Sequence, residues 1–156
     1  DGDVNISMSE SKIKFVSNKV TLISKLIDGT FPEYEKVIPA NNEEILEVET
    51  SYFAKAIDRV STVSTDKARA IRLEINEGIL SLSASNEESA SAKEVVEGQT
   101  KITSLSIAFN SRYLLEMLSA IEGETVQFRF AKTGGPALVH DSAYPGSLYV
   151  IMPMTL

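Results

Sequence analysis

The chain contains no cysteine and a single histidine, and these shortages remove several kinds of protein at once. Without cysteine there can be no disulfide framework and no thiolate metal site. A structural zinc site normally takes four Cys or His ligands, which one histidine cannot supply. The absence of cysteine is consistent with a reducing compartment, and we expect no metal and no cofactor.

Long apolar runs are also missing, since none approaches the roughly 20 residues that a membrane-spanning helix needs. The first residues, Asp1-Gly2-Asp3, are acidic where a secretory signal would be basic. We therefore expect no membrane partner. Because no initiator methionine is present, we also expect a fragment of a longer protein or a processed chain.

Catalytic motifs are scarce as well. His140 lies beside Asp141 in ALVHD, but no Gly-x-Ser-x-Gly elbow accompanies the pair, and a catalytic serine needs both a base and an orienting acid. TGGP is too short for a phosphate loop, and paired acids such as Glu87-Glu88 are typical of solvated segments. We expect no catalytic residue, and an enzyme that uses His140 and Asp141 is the weakest of three hypotheses.

What is present suits a globular domain. The chain has 156 residues, of which 43% are hydrophobic and 24% charged, and this length fits one domain or one domain with a piece of another. The net charge of −7 argues against a broadly basic nucleic-acid surface. Local lysine and arginine can still contact phosphate on a protein that is acidic elsewhere.

Strand patterns dominate the chain. VNISMSES, KIKFVSN and KVTLISKLID precede GTFPEYEKVIPANNEE, a stretch with two prolines that we interpret as a linker. After it, Glu44–Thr50 alternates, Asn76–Gly78 predicts a hairpin turn, and ETVQFRF places Val126, Phe128 and Phe130 on one face. About eight strands are expected from the linker onward.

Two segments predict helices. Thr50 or Ser51 is expected to cap the first, and Asn110 the second, with Gly123 as the C-terminal cap of the second. The apolar positions follow a helical period. They are Phe53, Ile57 and Val60 in the first helix, and Leu114, Met117, Leu118 and Ile121 in the second.

The opposite faces of both helices carry cations. Lys55 and Arg59 lie on the first and Arg112 on the second, and further basic residues follow the first helix. An ordinary solvated face explains them adequately. The alternative is a surface that contacts phosphate without reading sequence, because few Asn or Gln side chains are present there to read base edges.

Three segments resemble the bacterial sliding clamp family, the beta subunits of DNA polymerase III. They are LIDGTFPEYEKVIP (Leu26–Pro39), NSRYLLEMLSAIEGETVQF and YVIMPMTL (Tyr149–Leu156). The similarity runs over essentially the whole chain, and both the DG-x-F-P-x-Y segment and the terminal MPM-x-L are specific features.

The resemblance implies an α+β protein with the DNA clamp fold, in which antiparallel sheets pack against two helices. Residues 1–35 would be the C-terminal strands of an incomplete middle domain, and residues 36–156 the C-terminal domain. Two subunits of this family close into a ring around duplex DNA, with helices lining the hole. The implied function is that of a cytoplasmic, non-catalytic processivity factor.

The resemblance also implies partners. These are duplex DNA of any sequence, a second clamp subunit, the DNA polymerase III alpha subunit, the clamp loader, translesion polymerases and mismatch repair proteins. The proteins would bind through linear motifs in which Gln is followed by Leu and Phe. The implied peptide pocket uses Pro32, Lys36, Val37, Val150, Ile151, Met152, Pro153, Met154 and Leu156.

Two further sets of residues follow from the resemblance. The implied DNA-facing residues are Lys55, Arg59, Lys67, Arg69 and Arg112. The implied ring-interface residues are Thr62, Val63, Glu87, Glu88 and Glu94. The chain departs from the family at Thr155, where arginine is common, and at Ala68, where an aromatic residue is frequent. A stand-alone peptide-binding module that forms no ring is the alternative function.

Overall fold

The computed structural model describes residues 2–64, 69–86 and 90–155. The chain divides into two compact units, Asp1–Tyr34 and Glu35–Leu156. Five positions for which the sequence makes predictions lie outside the described residues: Lys67, Ala68, Glu87, Glu88 and Leu156.

The first unit is a three-stranded antiparallel sheet. Its strands are β1 (Asn5–Met8), β2 (Lys12–Ser17) and β3 (Val20–Lys25), in the order β1-β2-β3. The register aligns Ile6 with Phe15 and Phe15 with Leu22. The three strands predicted before the linker are therefore confirmed. The linker itself contains one 3-10 helix, Tyr34–Val37, and the division between the units falls within it.

The second unit contains nine strands in its described residues, arranged in two antiparallel sheets. The five-stranded sheet has the order β12-β11-β10-β4-β8, and the four-stranded sheet has the order β7-β6-β5-β9. The strands are β4 (Glu44–Glu49), β5 (Ala70–Asn76), β6 (Ile79–Ser85), β7 (Ser91–Val96), β8 (Gln99–Thr100), β9 (Ser104–Asn110), β10 (Thr125–Phe130), β11 (Ala137–Asp141) and β12 (Leu148–Ile151).

The predicted hairpin turn joins β5 and β6. Glu77 and Gly78 both have positive φ, at 50° and 82°, as a two-residue hairpin turn with the right twist requires. Asn76 pairs directly with Ile79 across it. Glycine at position 78 removes the steric cost of one of these two left-handed residues.

The two predicted helices are α1 (Thr50–Ser61) and α2 (Ser111–Ser119). Asn110 caps α2 as predicted, since its side chain accepts a hydrogen bond from the Arg112 N–H. The prediction for the start of α1 is wrong. Glu49 is the cap, and its carboxylate accepts from the backbone N–H groups of Ser51 and Tyr52.

Thr50 is instead the first helical residue, and its hydroxyl donates to the Gly123 carbonyl at 2.8 Å. The prediction that Gly123 caps α2 is also wrong, because the helix ends at Ser119 and Ala120 is its C-terminal cap. Gly123 packs so closely that a Cβ would lie 2.5 Å from Asp141 Oδ1. Glycine is needed at this position because neighbouring atoms approach closely, and not because a helix ends there.

The core of the second unit is formed by the apolar faces of both helices and both sheets. Alternation in β10 is confirmed, because Val126, Phe128 and Phe130 are all buried. Phe53 of α1 meets Phe128 edge-on with ring centroids 5.6 Å apart. Such contacts, together with the buried area, fix the helices against the sheets.

Candidate functional site

The C-terminal tail connects the two sheets of the second unit. β12 pairs with β11 at the edge of the five-stranded sheet. Beyond β12, the Met154 N–H donates to the Ala108 carbonyl of β9 at 2.7 Å, so the tail also bonds to the four-stranded sheet. The apolar tail is thereby hydrogen-bonded to one sheet through β12 and to the other through Met154. Its side chains form a wall beside α2.

Between this wall and α2 lies an open cleft of about 540 Å³. Most of its lining is apolar or aromatic, and its volume is within the range of binding pockets for small ligands and short peptides. The lining residues are Asn110, Tyr113, Met117, Tyr149, Val150, Ile151, Met152, Pro153 and Met154.

The residues of the tail wall differ in their solvent exposure. Ile151 is buried at 7% exposure and belongs to the core, whereas Met152 is 60% exposed. The Tyr149 hydroxyl donates to the Ala120 carbonyl at 3.4 Å, which ties the wall to the end of α2. The cleft thus combines a fixed base with a flexible methionine at its rim, a composition suited to varied apolar ligands.

Five of the predicted pocket residues line this cleft: Val150, Ile151, Met152, Pro153 and Met154. Lys36 and Val37 are exposed on the 3-10 helix and are not among its lining residues. Pro32 belongs to the first unit. The role of these three linker residues in peptide binding therefore stays a prediction.

Sequence reasoning missed four lining residues: Asn110, Tyr113, Met117 and Tyr149. The sequence predicts Asn110 only as a helix cap and Met117 only as part of the apolar stripe of the second helix. A sequence signal was the aromatic side chain of Tyr113 outside the apolar stripe predicted for the second helix, and the structure leaves this side chain 60% exposed. Its exposure, however, depends on the helix orientation, which the sequence leaves open.

The arginines on the helix faces are both ion-paired. Arg59 of α1 donates from Nε and Nη2 to the two carboxylate oxygens of Glu94 on β7, at 3.1 and 2.5 Å. The hydrogen bond between them raises the pKa of Arg59 and lowers the pKa of Glu94. Arg112 of α2 donates from Nε to Glu116 at 2.8 Å, one helical turn away, and this bond raises the pKa of Arg112.

Lys55 and Arg69 complete the described cations predicted to face DNA. Lys55 is exposed on α1, one turn before Arg59, and has no ion pair within the described ranges. Arg69 is exposed with φ of 44°, and its carbonyl accepts from the Ser111 N–H at the start of α2. Four predicted residues thus lie on or beside the two helices, while their contact with DNA stays a prediction.

Three residues of the predicted ring interface are described. Thr62 is the C-terminal cap of α1, and Val63 packs partly against the core. Glu94 lies on β7, the end strand of the four-stranded sheet, and the Arg59 bond joins that strand to the end of α1. The structure therefore places all three near one sheet edge. Glu94 has a partner within the chain, which the sequence did not predict.

His140 and Asp141 are neighbours on β11. In the described residues His140 Nε2 is buried without a hydrogen-bond partner, so no serine is within bonding reach of that nitrogen. Burial, with the nearby charge of Arg129, lowers the pKa of His140. Within the described part of the chain, no three potential ligands among His, Cys, Asp and Glu come together to hold a metal, and no helix could cross a membrane.

Asp141 has a structural role in the loop that follows α2. Burial alone would raise the pKa of its carboxylate, but backbone N–H donors, including those of Glu122, Ala143 and Gly123, lower it overall. The Gly123 and Ala143 bonds are 3.0 and 2.8 Å long. Asp141 thereby holds the segment after α2 against β11.

Solved sliding clamps superimpose closely on the chain. A sliding clamp from Bartonella birtlesii, solved bound to griselimycin, shares 41% identity at a TM-score of 0.90 and covers 100% of this chain and 42% of that one. A clamp structure from Pseudomonas aeruginosa, at 36% identity and a TM-score of 0.89, covers 100% and 43%. The architecture is the DNA clamp fold, with antiparallel sheets packed against two helices.

Sequence comparison identifies the family. The model for the DNA polymerase III beta subunit, C-terminal domain, matches residues 35–155. The beta sliding clamp of Caulobacter vibrioides is 41% identical over 151 residues, or 97% of this chain and 41% of the relative's length. The chain thus belongs to the DNA polymerase III beta subunit family and spans about two fifths of the length of the curated relatives that it matches.

Proposed function

We propose that this chain is the C-terminal part of a sliding clamp subunit, which encircles duplex DNA as a ring dimer and acts as a processivity factor without catalytic activity of its own. Membership of the beta subunit family supports the proposal. In this proposal, residues 1–35 are the last strands of the middle domain and residues 36–156 are the C-terminal domain. The division of the chain within the linker is consistent with that boundary.

The cleft beside the tail is the observation that carries the proposal. It is open, mostly apolar and bounded by β12 and by Met152, Pro153 and Met154, which follow that strand. Such a site suits short peptides with apolar side chains. The proposed occupants are linear motifs of the polymerase alpha subunit, the clamp loader, translesion polymerases and mismatch repair proteins.

Apolar burial would drive this binding. If a peptide buries roughly 300–400 Å² of apolar surface, the gross gain is very roughly 8–10 kcal/mol at about 25 cal/mol per Å². Ordering the peptide removes several kcal/mol of that gain, which leaves an affinity nearer micromolar than nanomolar. A site that exchanges partners needs affinity in this modest range.

The helix faces are the proposed contact with duplex DNA. Lys55, Arg59, Arg69 and Arg112 lie on or beside α1 and α2 and are exposed, so they could contact phosphates without reading bases. The proposed ring interface uses Thr62, Val63 and Glu94 at the open edge of β7. In the described residues β7 pairs on one side only, so its other edge is available to a partner strand.

The test is a peptide titration. A fluorescent Gln-Leu-x-Leu-Phe peptide is added to the wild-type chain, to Met154→Ala and to Met8→Ala, a methionine 71% exposed in the first unit. Removing the Met154 side chain should weaken binding by about five- to tenfold, because roughly 1 kcal/mol or more of apolar contact is lost. Met8→Ala should bind as the wild type does.

Equal affinity for Met154→Ala and the wild type would contradict the cleft as the peptide site. A thermal melt of each variant checks that the fold is retained. Peptide binding by a full-length protein that neither dimerises nor contacts duplex DNA would favour the alternative function, a stand-alone peptide-binding module.

A further inference from the structure

The two arginines of the helix faces share one unexpected feature, which is an acidic partner within the chain. Arg59 meets Glu94 through two hydrogen bonds and Arg112 meets Glu116 through one. The four side chains remain accessible, with exposures of 52% and 24% in the first pair and 67% and 58% in the second. Both pairs are therefore within reach of a ligand.

The partners come from different places in the fold. Glu116 lies on the same helix as Arg112, whereas Glu94 comes from β7, 35 residues along the chain from Arg59. Exposed ion pairs of this kind contribute little to folding. The caps and the buried faces of α1 and α2 are formed by other residues than Glu94 and Glu116.

A carboxylate and a phosphate compete for the same donors. Both accept the parallel N–H groups of a guanidinium. In the Arg59 pair, Nε and Nη2 are already committed to the two oxygens of Glu94. A phosphate that approaches this edge of Arg59 must displace Glu94 or share its donors, and one that approaches Nε of Arg112 meets Glu116 in the same way.

From this geometry we propose that Glu94 and Glu116 are positioning residues that weaken the contact of Arg59 and Arg112 with DNA phosphate. The inference rests on the proposed role of the helix faces in duplex contact. Each arginine exchanges between a carboxylate of its own chain and a phosphate, so each contact gains less than an unpaired cation would gain. Lys55, which has no ion pair in the described residues, lacks this restraint.

Such restraint suits a protein that must stay on DNA without gripping it. Phosphate contacts supply most non-specific affinity, and cations without competitors would hold the duplex more tightly. An internal carboxylate lowers that affinity locally while the arginine side chain stays in place. The overall charge of −7 acts in the same direction at longer range.

A double-mutant cycle tests the inference. Binding of a short fluorescein-labelled duplex of arbitrary sequence is measured at low salt for the wild-type chain, Glu116→Gln, Arg112→Ala and the double variant. Glu116→Gln should bind about two- to fivefold more tightly than the wild type, in line with the strength of an exposed ion pair. That gain should disappear when Arg112 is alanine, because it acts through the arginine.

Glu77→Gln is the matched control. It makes the same change in charge at an exposed hairpin turn outside both ion pairs, so any gain it produces should be the same with or without Arg112. The corresponding cycle for Arg59 and Glu94 should repeat the Glu116 result. A gain at Glu116→Gln that persists in the Arg112→Ala background would overturn the inference.

The same titrations, followed by amide NMR, separate this inference from the proposed function. Shifts that map to α1 and α2, with no coupling between Glu116 and Arg112, would overturn only the positioning role of the carboxylates. Shifts away from both helices in every variant would overturn the DNA-facing role of these helices and the inference with it.

Discussion

Helix α2 presents two unlike surfaces, and the residues of one are each one position along the chain from those of the other. Tyr113 and Met117 line the apolar cleft, while Arg112 and Glu116, each one position earlier, form an exposed ion pair. A third stripe, Leu114 and Leu118, is buried in the core. A rotation of about 100° per residue produces all three, so a nine-residue helix can contribute to two proposed binding surfaces and to the core.

The two surfaces favour different kinds of binding. The cleft offers apolar area beside a fixed wall, and burial of such area depends little on salt. The charged side offers solvated groups that already have partners, and contacts of this kind weaken as salt rises. The proposed retention of a peptide and the proposed loose contact with a duplex therefore need different chemistry, which the helix keeps on separate faces.

The largest effect is expected on peptide binding, where substitutions at the neighbouring residues Tyr113 and Arg112 should differ. Tyr113→Ala should weaken binding of the Gln-Leu-x-Leu-Phe peptide by about 2 kcal/mol, roughly thirtyfold, as is typical for loss of a tyrosine anchor. Arg112→Ala should change the same affinity by less than about twofold, since exposed charges at a rim contribute little. Fluorescence anisotropy measures both.

Tyr113→Phe is the control for the ring itself and should bind the peptide nearly as the wild type does. If Arg112→Ala lost as much peptide affinity as Tyr113→Ala, the two faces of α2 would not be functionally separate, and the comparison would fail.

A smaller effect is expected on duplex binding from Lys55. Lys55→Ala should weaken duplex binding at every sequence and reduce the slope of log K against log salt by about 0.9, the value for one phosphate contact with B-DNA. Its affinity for the peptide should not change. Lys93→Ala is the matched control, because Lys93 is exposed on β7 and, by strand alternation, points away from the side of Glu94.

Binding isotherms over a range of salt concentrations give the slopes. An unchanged slope for Lys55→Ala, or an equal change for Lys93→Ala, would remove the α1 face from the proposed duplex contact. Either result would leave the peptide cleft untouched.

The smallest effect concerns Asp141, which supports both faces by holding the loop after α2. Its folded pKa is lowered overall, so the stability it adds is present above the unfolded pKa of about 3.9 and is lost as pH falls through the folded pKa. Asp141→Asn should therefore melt several degrees below the wild type at neutral pH. The difference should shrink in acid.

Melting temperatures measured from neutral pH into the acid range test this prediction, with the exposed Asp28→Asn as the control. Identical melting curves for Asp141→Asn and the wild type at neutral pH would show that the backbone bonds to Asp141 add no stability.

Much of the fold could be predicted from the sequence because local patterns decide it. The alternation of ETVQFRF places three side chains in the core, the Asn76–Gly78 segment forms the hairpin, and Asn110 caps α2. Each of these features depends on neighbouring residues along the chain. The three segments that resemble sliding clamps predicted the family and the fold, and the comparisons confirm both.

The sequence predictions fail where a contact with a residue far away in the chain decides the local structure. Thr50 is of a residue type that often caps helices, but its hydroxyl bonds to Gly123, 73 residues away, and Glu49 takes the capping position. Gly123 followed a predicted helix and suggested a cap, yet glycine is needed there because Ser142, Asp141 and Ala143 approach too closely for a Cβ. Met117 packs partly against the core, as the apolar period of α2 predicts, and the position of the tail also makes it part of the cleft.

The sequence by itself therefore determined which segments become strands and helices and which of their faces are apolar, and the family resemblance pointed to the tail residues that line the cleft. Only the tertiary structure decided what faces that wall and which acids meet the arginines. The cleft needs β12 at the edge of one sheet and Met154 bonded to the other, and the Arg59 pair needs β7 beside α1. Such contacts join residues far apart in the chain, and no local periodicity encodes their partners.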